Sequence, residues 1–158
     1  MSGFVASEDE GPPEQDADMV DGGGFFPPVS LSGFRDSMRL GAIVTDPRAR
    51  DALRGGILTV RRELRAWAIE KIAAGFPALD GVACDEVDFE PELVILYRRA
   101  VFAHAAADLA ETHSDISATK DGEKRNDERS LSADEHRRNG IHAIRDILGV
   151  PRTSVELI

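Results

Sequence analysis

Apolar residues recur every three or four positions between residues 45 and 76, which is the spacing of one face of an α-helix. Thr45 suits an N-cap, Pro47 fits a first helical turn, and Gly75 suits the left-handed residue that follows a helix. The pattern therefore predicts one long helix over about residues 46–74. Its buried face is expected to consist of Leu53, Ile57, Val60, Leu64, Trp67 or Ala68, and Ile72.

Two adjacent glycines, Gly55 and Gly56, lie inside this predicted helix. Each costs about 1 kcal/mol of helix stability relative to alanine, so both need a physical reason. The pair marks either a slight kink or a place where another backbone comes close. We favour close packing.

Two further helices follow from caps and periodicity. A short one is predicted from Ser30 or Ser32 to about Leu40, where Gly41 ends it. Another is predicted over about residues 90–113, with Pro91 in its first turn. Its apolar surface is broad and rich in alanine, which favours tight packing on two sides: Leu93, Leu96, Tyr97, Ala100, Val101, Ala103, Ala107 and Ala110.

The last helix begins at a capping box formed by Ser132 and Glu135, and it ends before Gly149 and Pro151. Residues 77–89 are predicted to be a loop. Residues 114–129 are polar and densely charged, with a turn signal at Asp121-Gly122, and are predicted to be a mobile loop or two short helical turns. The buried stripe of the last helix is expected to be Ile141, Ile144, Ile147 and Leu148.

These elements predict an all-α protein, a small bundle of about four helices of which two are long. Residues 1–24 are acidic and rich in glycine and proline, which predicts a disordered leader. Residues 25–150 form the helical domain, and residues 151–158 an extended tail. The aromatic residues expected to anchor the core are Phe25, Phe26, Trp67, Phe76 and Tyr97, with the polar tips of Trp67 and Tyr97 hydrogen-bonded.

The formal charge of −10 is unevenly distributed along the chain. Residues 1–21 contain seven acidic residues and no lysine or arginine, whereas residues 35–71 contain nine basic residues against five acidic ones. Such an acidic chain is a poor general DNA binder, because affinity for phosphates comes from lysine and arginine. The N-terminus also lacks the pattern of a secretory signal, which predicts assembly in a bacterial cytoplasm, and no apolar run approaches the length of a membrane span.

The basic segment and an acidic loop suggest an attraction between copies of the chain. Arg61, Arg62 and Arg65 are predicted to face the acidic residues of a neighbouring copy in a head-to-tail contact. Two separately solvated faces explain the same charges, since surface ion pairs contribute little. The acidic partners are Asp85, Glu86, Asp88, Glu90 and Glu92.

Sequence motifs for catalysis are absent: there is no glycine-rich phosphate loop, nucleophile elbow or His-Glu-x-x-His pattern. His104, Asp108 and Glu111 share one helical face, a spacing that suits a metal site or a small hydrolase. Solvated polar residues explain this spacing better, because no second cluster of ligands exists. We therefore expect no enzyme activity and no cofactor, and we interpret the single cysteine, Cys84, as a loop residue.

Several short motifs, in one order along the chain, resemble the head completion proteins (the GPL family) of temperate, contractile-tailed phages. The most specific is KIAAGF at residues 71–76. The others are FFPP at residues 25–28, MRL at 38–40, YRRAV at 97–101, KDGEK at 120–124 and VPR at 150–152.

This resemblance implies a structural virion protein at the neck between head and tail. It implies a ring, as a dodecamer, beneath the portal protein of the DNA-filled capsid, close to packaged DNA without sequence-specific binding. The ring would seal the genome and provide the attachment surface for a tail or neck completion protein. No catalytic residue carries over, and the acidic leader departs from the family pattern.

The C-terminal tail is a candidate for binding the portal protein by adding a strand to a sheet edge. Packing of the tail on its own bundle is the alternative, and a cytoplasmic helical module for protein–protein interaction is the alternative for the whole chain. The tail residues are Pro151, Arg152, Thr153, Ser154, Val155, Glu156, Leu157 and Ile158.

Overall fold

The computed structural model describes residues 17–116 and 132–151 of the chain. Within them the protein is mainly helical, as predicted, with five helices and two short antiparallel strand pairs. The prediction of a purely α-helical bundle of about four helices is wrong in these two respects. The helices are α1 (Leu31–Met38), α2 (Asp46–Glu63), α3 (Arg65–Ala73), α4 (Glu92–Ile116) and α5 (Ala133–Ile147), and the strands are β1 (Met19–Val20), β2 (Val29–Ser30), β3 (Glu86–Val87) and β4 (Glu90–Pro91).

The central element is α4, which packs against both α2 and α5. Small side chains on several faces allow both neighbours to come close, as the alanine-rich pattern predicted. The buried residues of α4 are Leu96, Tyr97, Ala100, Val101, Phe102, Ala103, Ala105, Ala106, Ala107 and Leu109.

Helices α2 and α4 approach each other closely at Gly56 of α2. A Cβ atom there would lie 2.5 Å from the carbonyl oxygen of Val101 and 3.2 Å from the amide nitrogen of Ala105. A Cβ atom at Gly55 would meet nothing within 4 Å. Close packing is therefore confirmed for Gly56, whereas Gly55 has no such contact.

The predicted long helix is interrupted at Leu64, where φ is −90° and ψ is 2°. The break is slight, because the Leu64 amide still donates to the Val60 carbonyl and the Ala68 amide to that of Leu64. The buried face holds as far as Ala68, but Ile72 is 50% exposed, so its predicted burial is wrong. A periodic apolar pattern is buried only as far as other elements cover it.

The last part of the predicted leader, residues 17–24, makes defined contacts with the rest of the chain. Met19–Val20 pairs with Val29–Ser30, and the Asp18 carboxylate accepts hydrogen bonds from the Ser30 hydroxyl and the Ser32 amide at 2.6 and 2.8 Å. Arg50 of α2 donates to the Met19 carbonyl at 3.0 Å. The predicted disorder is therefore wrong for residues 17–24, while residues 1–16 lie outside the described residues.

An aromatic cluster joins this N-terminal segment to α3 and α4. Phe26 stacks on Tyr97 with ring centroids 5.0 Å apart, and Phe25 meets Trp67 edge-on at 6.1 Å. Phe25, Phe26 and Tyr97 are buried, while Trp67 and Phe76 are half-buried. Among the residues that the structure describes, the hydroxyl of Tyr97 has no hydrogen-bond partner, which contradicts the expected satisfied tip, and its burial raises the pKa of this phenol.

The short first helix ends at Met38, three residues before the predicted glycine, Gly41. Ser30 caps its start by accepting from the Gly33 amide at 2.8 Å, and Leu31 and Phe34 are buried. Its end is made by Arg39, which adopts a left-handed conformation with φ of 51°. Residues other than glycine rarely adopt such a φ, which is why the sequence predicted the end of the helix at Gly41 instead.

The predicted capping box is confirmed at the start of α5. The Glu135 amide donates to the Ser132 hydroxyl at 3.2 Å, and the Ser132 amide donates to the Glu135 carboxylate at 2.7 Å. Ile144 and Ile147 are buried, but Ile141 and Leu148 are 48% and 38% exposed. Only half of the predicted stripe therefore faces the core.

The two adjacent glycines of α2 provide a matched stability test. Gly56→Ala should lower the free energy of unfolding by about 2 kcal/mol, because the new methyl group collides with the backbone of α4. Gly55→Ala should raise the free energy of unfolding by about 0.5–1 kcal/mol, since alanine favours the helix at no steric cost. Urea unfolding followed by circular dichroism measures both, and equal effects of the two changes would contradict this packing.

Candidate assembly surfaces

The predicted loop after α3 contains a β-hairpin. Val87 and Glu90 are paired across a two-residue turn, Asp88–Phe89, whose φ angles are 55° and 61°. Positive φ at both central residues is the geometry of a type I′ turn, which matches the twist of a tight hairpin. The amide of Glu92 donates to the Asp85 carbonyl at 2.9 Å and fixes the hairpin at the start of α4.

Four of the five acidic residues predicted to face a neighbour are exposed here, namely Asp85, Glu86, Asp88 and Glu92. Glu90 is different, because its carboxylate accepts two hydrogen bonds from the Arg98 guanidinium at 2.6 and 2.8 Å. These bonds lower the pKa of Glu90 and raise the pKa of Arg98. Glu90 therefore holds the hairpin to its own α4.

The hairpin also exposes apolar side chains, which the sequence analysis missed. Phe89 is 96% exposed and Val87 59% exposed. The only sequence signal was an aromatic residue inside an acidic, turn-forming segment.

The three arginines of the predicted basic surface have different surroundings. Arg62 and Arg65 are exposed on α2 and α3. The guanidinium of exposed Arg61 lies against Gly23, so closely that a Cβ atom there would collide with it. Arg61 therefore borders the N-terminal segment, and Arg62 and Arg65 are the two arginines that project freely.

Exposed apolar residues lie in register with these two arginines. Leu58 and Ile69 are both 58% exposed, and Ile72 is 50% exposed. Positions 58, 62, 65, 69 and 72 alternate steps of four and three, so they lie on one side of α2 and α3. We call Leu58, Arg62, Arg65, Ile69 and Ile72 the outer stripe.

His104 lies in a groove of about 970 Å³ between α2, α4 and α5. Its Nε2 atom is buried, has no hydrogen-bond partner within residues 17–116 and 132–151, and lies close to Gly140, where a Cβ atom would come within 2.7 Å of it. Burial lowers the pKa of this imidazole. The groove is also lined by Arg54, Leu58, Glu63, Asp108, Glu111, Arg137, Ile141, Ile144, Arg145 and Leu148.

The polar face that carries His104, Asp108 and Glu111 contacts α5 through two of these residues, His104 and Glu111. Glu111 forms an ion pair with Arg137 of α5, and the Asp108 backbone carbonyl accepts from the Thr112 hydroxyl at 2.9 Å. No group of three or more potential metal ligands occurs in the two described ranges. His104 and Glu111 thus contribute to the contact between α4 and α5.

Pro151 is exposed, and its carbonyl accepts a hydrogen bond from Arg145 at 2.7 Å. Residues 152–158, predicted to bind the portal protein, lie outside the described residues, as does most of the predicted loop 114–129. Over the residues that the structure describes, none of the helices is long and apolar enough to cross a membrane.

Comparison with known proteins gives the family. Residues 20–158 match the phage head completion protein (GPL) family. The chain belongs to this family. It is also 37% identical over 134 residues to the head completion/stabilization protein of Escherichia phage P2, covering 85% of this chain and 79% of that protein. No solved structure matches the chain.

The buried His104 predicts a pH dependence of stability. Its folded pKa lies below the unfolded value of 6.5, and so does that of His136, in both cases through burial. Between the folded pKa and 6.5, the unfolded chain therefore binds more protons than the folded chain. The free energy of unfolding decreases as the pH falls through 6.5 towards the folded pKa. His104→Gln should reduce the loss of urea stability between about pH 7.5 and about pH 5.5, and His104→Gln with His136→Gln should reduce it further. An equal loss in the wild type and the double variant would contradict this.

Proposed function

We propose that this chain is a structural virion protein that completes the DNA-filled phage head. The observation that supports this most directly is its relationship to the head completion/stabilization protein of phage P2, which extends over 85% of the chain. In this proposal, copies of the chain assemble into a ring beneath the portal protein. The ring closes the DNA exit and offers a surface to which a tail or neck completion protein attaches.

The contact between neighbouring copies is proposed to be head to tail. The exposed Arg62 and Arg65, bordered by Arg61, would meet the exposed acids of the hairpin on the next copy, namely Asp85, Glu86, Asp88 and Glu92. In a contact between two different surfaces, the copy at each end of a row still has one surface free. Further copies therefore add until the row closes into a ring. Twelve copies follow from the family resemblance alone.

The uneven charge is compatible with a place beside packaged DNA. An acidic chain of net charge −10 is repelled by phosphates unless lysines and arginines form a continuous surface. A ring of such chains would therefore neighbour DNA without binding a particular sequence. Its arginines would remain available for contacts with acidic protein surfaces.

The C-terminal residues 152–158 are proposed to bind the portal protein as an added strand. The segment TSVELI alternates polar and apolar residues only loosely, but it is rich in strand formers, which suits an edge strand. Pro151, directly before these residues, is exposed.

The role in head completion is tested by deleting the gene in its phage and supplying the protein in trans. Particles made without the protein should lose packaged DNA and lack tails, and the wild-type chain should restore both. Electron microscopy and nuclease protection of the packaged DNA measure these outcomes. Tailed, DNA-filled particles formed without the protein would show that the proposal is wrong and favour a helical interaction module of the host cytoplasm.

A truncated chain tests the C-terminal tail separately from the rest of the protein. A chain ending at Arg152 should keep the far-ultraviolet circular dichroism of the wild type, because the bundle ends at Leu148. It should fail to bind purified portal protein in co-sedimentation. Portal binding at wild-type strength would show that residues 153–158 are not the contact.

Charge reversal tests the contact between copies. Arg62→Glu with Arg65→Glu should weaken self-association about tenfold, because two attractive contacts become repulsive. Adding Glu86→Lys and Asp88→Lys to the same chain should restore part of the lost self-association. Sedimentation velocity across a concentration series gives the measurement, and Arg138→Glu, at another exposed arginine, is the control. Unchanged association of the double reversal would exclude this contact.

A further inference from the structure

The tip of the β3–β4 hairpin combines exposure with backbone strain at one residue. Phe89 is 96% exposed, so its ring contributes almost nothing to the core of its own chain. Its φ of 61° lies in the left-handed region, where a large side chain is disfavoured and where type I′ turns usually have glycine. Strain at a residue that does not stabilise the fold indicates a role outside the fold.

A surface with matching properties exists on the same chain. The outer stripe places two exposed arginines, Arg62 and Arg65, between the exposed apolar residues Leu58, Ile69 and Ile72. It spans fourteen helical steps, or about 20 Å at the helical rise. This length accommodates the tip of a two-stranded hairpin.

The hairpin has the complementary arrangement of charge and apolar surface. Its apolar side chains are Phe89 and Val87, and exposed acids surround them at Asp85, Glu86 and Asp88. An aromatic side chain buries about 150–250 Å² when it is covered, which makes it a typical anchor at the centre of an interface. Surrounding ion pairs then fix orientation and exclude water.

We propose that Phe89, with Val87, is the apolar anchor of the contact between copies, and that it binds on Ile69 and Ile72 of a neighbouring copy. Asp85, Glu86 and Asp88 then face Arg62 and Arg65 of that copy. This inference rests on the proposed head-to-tail assembly and adds the residues that hold it together. A second copy is the occupant because the chain carries both halves, which match in charge and in apolar residues.

The first test separates assembly from folding. Phe89→Gly removes the ring and also relieves the backbone strain, so its Tm should be equal to or higher than that of the wild type. Its self-association should weaken tenfold or more in sedimentation velocity. Ile43→Ser, at another exposed apolar residue (75%), is the matched control and should associate like the wild type. Wild-type association of Phe89→Gly would overturn the proposal.

A mixing experiment tests which surface receives the anchor. Phe89→Gly keeps the outer stripe intact, whereas Ile69→Ser with Ile72→Ser keeps the hairpin intact. Each variant alone should remain monomeric, and an equimolar mixture should form dimers and nothing larger. No association in the mixture, or dimers of Phe89→Gly alone, would show that the hairpin binds elsewhere.

Cysteine cross-linking tests the contact where association in solution is weak. Phe89→Cys with Ile72→Cys, in a chain that also has Cys84→Ser, should give a ladder of disulfide-linked oligomers in concentrated protein or in phage particles. The Cys84→Ser chain alone should give none. Particles that contain the chain without a ladder would refute this contact while leaving the role in head completion intact. A ladder together with normal particles from the gene deletion would refute that role and leave the contact intact.

Discussion

The close approach of α2 to α4 at Gly56 is the constraint on which the other elements depend. Because the Val101 carbonyl occupies the space of a side chain at Gly56, the two helix backbones are in direct contact. Gly140 of α5 also meets α4 closely, but there the contact is with a side chain, the imidazole of His104. Both neighbours of the alanine-rich α4 thus approach it at a glycine.

This arrangement decides which faces remain outside. The core-facing residues of α2 and its junction with α3 are Leu53, Ile57, Val60 and Leu64. The outer stripe remains exposed within the described part of the chain, although it carries isoleucines as well as arginines. The N-terminal segment is fixed to this frame through Asp18, Arg50 and the aromatic cluster. The carbonyl of Phe25 also accepts from the Leu79 amide at 2.8 Å, which links the N-terminal segment to the turn that leads into the hairpin.

The hairpin shows how a small element can be both held and exposed. Glu90, the residue directly after the turn, binds Arg98 of α4 through two charge-assisted hydrogen bonds, while the turn itself projects into solvent. A hairpin that is held in this way and exposes an aromatic side chain loses little conformational entropy on binding. Such a preorganised surface suits repeated contacts.

The amino-acid sequence by itself determined the family, the mainly helical class, the main buried face of α2 and the capping box of α5, because these depend on residue order and local periodicity. The tertiary structure alone decided that Ile72, Ile141 and Leu148 are exposed, that Tyr97 has an unpaired hydroxyl and that residues 17–24 are ordered. Periodicity states which residues share a face, but only the neighbours of that face determine whether it is covered. The pairing of Glu90 within its own chain and the exposure of Phe89 likewise depend on a turn with two positive φ angles. The sequence Asp88-Phe89 does not predict such a turn, whereas Asn-Gly would.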